Sequence, residues 1–189
     1  MNITDTRMGA EEINLLAEMV GEKFEKYRCD EFVFSPAVYQ IVGLYVGGKV
    51  FALLNETREL DYFGDVDDVA AISVREAVDD EIKSHVVGGE LVETPVDQAI
   101  EDVVIVTDTE FMSKDGEDLY RYDFTAAIAF VLPDRQIVFE RDCWFSEDFL
   151  VYRGPDALDK IKSSDENASK SNTLDVRTVR EVVHLADRL

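Results

Sequence analysis

From residue 103 to residue 152, apolar and polar positions alternate with a period of two, which predicts a three-stranded antiparallel meander. Asp115-Gly116 marks the first turn and Pro133-Asp134-Arg135-Gln136 the second. With these tips, Ile105 lies beside Ala126 and Cys143, and Thr107 beside Phe124 and Phe145. One face then collects Val103, Ile105, Phe111, Tyr120, Tyr122, Phe124, Ala126, Ile128, Phe130, Leu132, Ile137, Phe139, Cys143, Phe145 and Phe149. A one-residue slip moves every side chain to the other face, so agreement among three strands fixes the expected register. The reverse face is small and apolar in its lower half, at Val104, Val106, Ala127, Ala129, Val131 and Val138, where a helix can lie.

Elsewhere the periods are mixed. Ile13, Leu16, Val20, Phe24 and Tyr27 recur at three- and four-residue steps and predict an N-terminal helix over 10–28. A hairpin follows over 38–54, turning at Gly47-Gly48 and pairing Leu44 with Phe51, Val42 with Leu53 and Ile41 with Leu54. Both of its faces are apolar near the middle, so a sheet covered on both sides, or one that curls, is expected. Residues 69–74 read as a short strand. Val78, Ile82 and Val86 fit a helix over 75–87, and Thr94-Pro95-Val96-Asp97 reads as a second helix start. Gly154-Pro155-Asp156 opens a short helix that buries Leu158 and Ile161. Residues 163–173 are polar and read as a flexible linker. Val176, Val179, Val183 and Ala186 stripe a C-terminal amphipathic helix over 174–189.

The expected fold class is therefore α+β: an N-terminal helix, a β-hairpin, a middle helical segment, the meander and two C-terminal helices. Residues 1–162 form one domain in this reading, with the linker and terminal helix appended. In element order alone this resembles small bacterial secretion chaperones, which implies a protein-binding role.

Charge narrows the partners. The chain of 189 residues has 41 acidic and 19 basic side chains, a formal net charge of −22. Nucleic-acid backbones and anionic membranes need Lys/Arg stripes, so neither is an expected partner. No apolar run reaches membrane-spanning length, and no basic leader precedes an apolar stretch. Two cysteines, Cys29 and Cys143, make no disulfide framework and no zinc pattern, which fits a reducing cytoplasm.

The candidate chemistry sits on the upper half of the reverse face. Asp108, Glu110, Arg121, Asp123, Asp142 and Asp148 gather there with Trp144 among them. The expected register puts Asp108 directly opposite Asp123, a like-charged pair that needs water, a cation or a shared proton. Glu110 falls opposite Arg121, which is favourable. Arg141 is the oddity, a cation on the apolar face, suited to gripping a carboxylate bidentately or to turning outward at a bulge. Gly64-Asp65-Val66-Asp67-Asp68 lacks the spacing of a calcium loop and reads as a turn.

No catalytic motif occurs, and no cofactor is expected. The first functional expectation is a non-catalytic, acidic protein-binding module: an adaptor, or a chaperone-like or inhibitor-like protein. It forms a homodimer if the segment 174–189 docks across a two-fold axis. A second is a divalent-metal-dependent hydrolase built on Asp108 and Asp123, with the metal unspecified. A third is a DNA mimic that occupies the cleft of a basic protein.

Overall fold

The computed structural model describes residues 1–32, 36–62, 64–162 and 175–188. The chain begins with β1 (Asn2–Thr6) and α1 (Ala10–Glu18). Then come β2 (Lys23–Asp30), β3 (Ala37–Tyr39), β4 (Ile41–Val46), β5 (Lys49–Tyr62), β6 (Asp65–Ala77) and β7 (Leu91–Ala99). The last strands are β8 (Asp102–Lys114), β9 (Glu117–Val131), β10 (Gln136–Arg141), β11 (Asp148–Gly154) and β12 (Asp175–His184). The architecture is mainly β, with one α-helix among the described residues and two sheets that are antiparallel but for one edge. It corrects the expected α+β class, and with it the likeness in element order to secretion chaperones.

One sheet runs β12-β8-β9-β10-β11-β3, and β1 joins it in parallel. The long strand β9 shares one edge between two neighbours. β1 pairs with Tyr120–Phe124, and β10 pairs with Ala127–Val131. The second sheet runs β6-β5-β4-β2-β7. The main core brings together Val103, Ile105, Ile128, Phe130, Phe139 and Phe149 from the first sheet with Phe24, Tyr27, Val42, Leu44, Phe51 and Leu53 from the second. Leu16 and Met19 of the α1 segment join them.

α1 forms where an acid-rich first turn meets an apolar stripe. Glu12 reaches back to accept the Gly9 N–H at 2.7 Å. The helix stops within a turn of Gly21, whose φ of 86° suits glycine. The three-residue step from Phe24 to Tyr27, which predicts helix, belongs instead to β2. A register break between Phe24 and Lys26 inserts an extra residue, so both rings point inward despite their spacing.

The hairpin over 38–54 pairs as expected, with Leu44 opposite Phe51, Val42 opposite Leu53 and Ile41 opposite Leu54. Its outer face is covered by Ile82, which packs on Ile41, Ala52 and Leu54. Gly43 has to be glycine, since Ile82 occupies the space a Cβ there would need. The expected helix over 75–87 shrinks to a 3-10 turn at Asp79–Glu81. Of its stripe only Ile82 is buried, while Val78 and Val86 are exposed.

Thr94-Pro95 does not start a helix. Pro95 lies in β7, an edge strand, where a missing N–H is tolerated. In place of the helix expected from Gly154, the described residues form a 3-10 turn, Leu158–Lys160, after β11. Ala157 and Ile161 cover Val104, Ala129 and Val138, the lower reverse face expected to receive a helix.

The expected C-terminal helix is β12. Half of this strand is Val or Thr, and it pairs with β8 without a break from Asp175–Ser113 to His184–Val104. The ladder satisfies an edge of β8 that a helix would leave bare. The predicted linker 163–173 lies outside the described residues. No helix among the described residues is long and apolar enough to cross a membrane.

The meander differs from expectation in register and in strand number. Lys114 does face Glu117, but register breaks follow between Met112 and Ser113 and between Val106 and Thr107. Each break puts one extra residue into β9, Leu119 and then Ala126. One bulge swaps the faces and two restore them. Ile105 therefore sits opposite Ile128, keeping the apolar face below Ala126. Between the bulges, β9 is turned over. The third predicted strand is in fact two, because the chain leaves β10 after Arg141 and returns as β11. The loop between them leaves Cys143 and Phe145 exposed rather than on the apolar face.

Candidate functional site

The inverted stretch of β9 separates the residues expected to act together. Asp108 faces Phe124, not Asp123, while Asp123 faces Thr109. Residues directly opposite share a face, so Asp108 and Asp123 point to opposite sides of the sheet. Glu110 likewise faces Tyr122, and Arg121 faces Phe111. The carboxylate pair that the metal reading requires does not form.

Each aspartate has its own cation. Arg180 of β12 grips Asp108 with two bonds, Nε to Oδ1 at 2.8 Å and NH2 to Oδ2 at 2.7 Å. Asp123 accepts from Thr109 Oγ1 and from Arg121 Nε. Among the described residues no group of three His, Cys, Asp or Glu side chains could hold a metal ion. Millimolar Mg²⁺, Ca²⁺ or Mn²⁺ should therefore leave the melting temperature unchanged, since only an ion bound by the native state raises it. A rise that disappears in Asp108→Asn/Asp123→Asn would revive the metal reading.

Three of the expected residues do meet. Glu110, Arg141 and Trp144 come together beside Tyr122 and Phe124. Glu110 is 4% exposed. Burial pushes its carboxyl up to about 7, against the pull of the Arg141 charge and a hydrogen bond from Trp144. Arg141 is also buried, at 6% exposure. Its NH1 donates to the Ala70 carbonyl and to the Tyr122 hydroxyl, both at 2.8 Å. Its guanidinium lies 4.1 Å from the Phe124 ring centre. Arg141 thus grips a backbone carbonyl of β6 rather than a carboxylate, and links the two sheets. The Tyr122 hydroxyl also meets Thr6 Oγ1 at 2.9 Å, which ties in β1. Asp142 lies further out, 3.7 Å from the Lys162 ammonium.

The sequence reading missed Glu140 and Arg180. Glu140 faces Ala127 on the same side of the sheet as Asp108, and its Oε1 accepts the Lys162 N–H at 3.0 Å. Burial raises its carboxyl, opposed by a hydrogen bond from Tyr152. Arg180 also donates to the Lys162 carbonyl at 2.8 Å. Its one signal was a cation in the middle of a valine-rich run.

Two concavities among the described residues exceed 500 Å³. A cleft of about 550 Å³ lies where the β5–β6 hairpin meets the loop before β11, and is lined by Tyr39, Thr57, Asp67, Asp68, Phe145, Ser146, Glu147 and Asp148. Four of these are carboxylates and none is basic. Phe145 is half exposed on its wall. Burial works against the Glu147 carboxylate, yet donors from the Thr57 N–H, the Tyr39 hydroxyl and the Thr57 hydroxyl hold it below its usual range. Asp148 moves the other way, raised by burial and by the neighbouring charges of Asp142, Asp30 and Glu147. The acidic run after Gly64, expected to be only a turn, thus supplies Asp67 and Asp68 to the lining of a cleft.

A second cavity of about 530 Å³ lies between α1, β1, β8 and β12. It has an apolar floor of Ile13, Ile105 and Val183. Its charges are balanced, with Asp5 and Glu181 against Arg7 and Arg188, and Arg7 is already bonded to Asp5.

Compared with protein-family models, with curated proteins and with solved structures, the chain gives no match.

Proposed function

We propose that this protein is a non-catalytic binding module that receives a basic, extended segment of a partner protein in the acidic cleft. The observation that carries the reading is the lining of that cleft: four carboxylates, no cation and an exposed aromatic wall. Lys or Arg side chains gain there from carboxylates and from the faces of Phe145 and Tyr39, while their stems cover apolar surface. The net charge of −22 steers a basic partner toward the cleft and raises its association rate. Of the buried acids elsewhere, Asp108 and Asp123 are bonded to arginines, Glu140 to the Lys162 N–H and Glu110 to Trp144. A reducing, cytoplasmic setting belongs to this proposal, supported by the free and exposed thiol of Cys143.

A fluorescent peptide of alternating Lys and Gly, titrated with the protein and read by anisotropy, tests this. Binding should weaken steeply with salt. It should fall at least tenfold in Asp67→Asn/Asp68→Asn and drop further on Phe145→Ala, since one tenfold step is about 1.4 kcal/mol. Neutralising exposed acids outside the cleft, Asp80→Asn/Glu90→Gln, should change it little. Equal losses from the two pairs would show a diffuse polyanion without a site, and would sink the proposal.

A further inference from the structure

Free sheet edges invite pairing with another chain, and folded proteins usually blunt them. Most edges here are blunted. β3 has only three residues. β7 carries Pro95, and Asp97 has a φ of 54°. β6 carries Asp65, Asp67 and Asp68, and its Ala70 N–H is taken by the Trp144 carbonyl. β1 is five residues long, and Thr4 bonds to the Asp61 carbonyl.

β12 is less protected, and its charges, unlike the acids of β6, are of both signs. It is ten residues long, without Pro, Gly or a register break, and among the described residues its far edge pairs with nothing. Val179 and Val182 are each about half exposed. Its valines are also placed symmetrically about Val179, at 176, 179 and 182, and Arg177 and Glu181 stand at mirrored positions of opposite charge.

We infer that β12 pairs antiparallel with β12 of a second copy about a two-fold axis at Val179, joining the two sheets edge to edge. In that register Val176 lies opposite Val182 of the second copy, Arg177 opposite Glu181, and Val179 opposite Val179. Symmetry repeats every pair except the central one. Directly opposite residues share a face, so the two Arg–Glu pairs flank the central valines on one side of the joined sheet. Arg180 falls opposite Thr178 and keeps its bonds to Asp108. Opposite charges thus meet at every charged pair within 176–182. The strand's own charges, Asp175 and Glu181 against Arg177 and Arg180, balance, so the two edges add no net charge of their own to the repulsion between two chains of −22. Alternative occupants lack this match, since a uniformly basic or acidic segment would set like charges against either Arg177 or Glu181. This interface is separate from the acidic cleft and does not depend on it.

Light scattering with sedimentation, at about 0.15 M salt to screen long-range repulsion, reads the result. The wild type should have twice the mass of the 21.4 kDa chain at micromolar concentration. Val179→Asp sets Asp against Asp on the axis, and Val179→Lys sets Lys against Lys, so each should run at single mass. Their equimolar mixture should return to double mass. If either variant fails to fold by circular dichroism, Glu181→Arg replaces it: alone it should run at single mass, and Arg177→Glu/Glu181→Arg should restore the dimer. Wild type at single mass, variants that stay double, or swaps that fail to restore pairing would each overturn the inference. Peptide binding at the cleft should persist in every variant, so failure here is distinct from failure of the proposed function.

Discussion

Replacing Arg141 with methionine should cost roughly 3–5 kcal/mol of folding stability, the range seen when one member of a buried charged network is removed. Methionine fills much of the same volume, so the loss is electrostatic and hydrogen-bonding rather than a cavity. The change strips a donor from the buried Ala70 carbonyl and from the Tyr122 hydroxyl. It also removes the cation above Phe124 and the charge that opposes burial at Glu110. Lysine at this position should recover only part of the loss. An ammonium on a flexible stem lacks the planar fork that stacks on Phe124 while bonding two acceptors. Urea unfolding, compared at equal slope, gives the number. A loss under about 1 kcal/mol would place Arg141 among weakly contributing surface ions.

The same residue shows how far the sequence could be read. Alternation found the apolar face of the meander below Ala126, and the Gly47-Gly48 turn gave the first hairpin its true pairing. It could not find Leu119 and Ala126, because a bulge has no compositional mark when the extra residue is itself apolar. Leu119 moved Asp123 away from Asp108 and dissolved the pair on which the metal reading stood. The same kind of break in β2 made a strand look helical, with Phe24 and Tyr27 at a helix step. At the C-terminus, Val176, Val179, Val183 and Ala186 fit a helical stripe. The outcome was decided by the bare edge of β8, a tertiary demand that a single segment does not display. Glu110, Arg141 and Trp144 were legible as odd residues in one region, yet their contacts depend on β6 and β1, which lie far away in sequence.

Glu110 makes stability depend on pH in a direction opposite to that of a salt-bridged carboxylate. Burial raises its native value from the ordinary 4.5 to about 7. The native state therefore holds this proton more tightly than the unfolded chain does. The stabilisation is complete below about pH 4.5 and is lost as pH rises through about 7. A gap of that size corresponds to about 3 kcal/mol, at roughly 1.36 kcal/mol per pH step. Glu140, raised by burial as well, pushes the same way. Asp5, whose carboxyl is lowered chiefly by its bonds to Arg7, pushes the other way and loses its contribution only in acid. Glu110→Gln keeps the shape and an acceptor for Trp144 but has no proton to lose. The variant should match the wild type near pH 4.5 and exceed it by up to about 3 kcal/mol at pH 8. The measurement is urea unfolding of both proteins at matched pH values. The difference between them, rather than either curve, isolates Glu110 from the other titrating acids of this chain. A difference that stays constant from pH 4.5 to 8 would mean that Glu110 is solvated, and that the packing of Trp144, Arg141 and Phe124 around it does not exclude water.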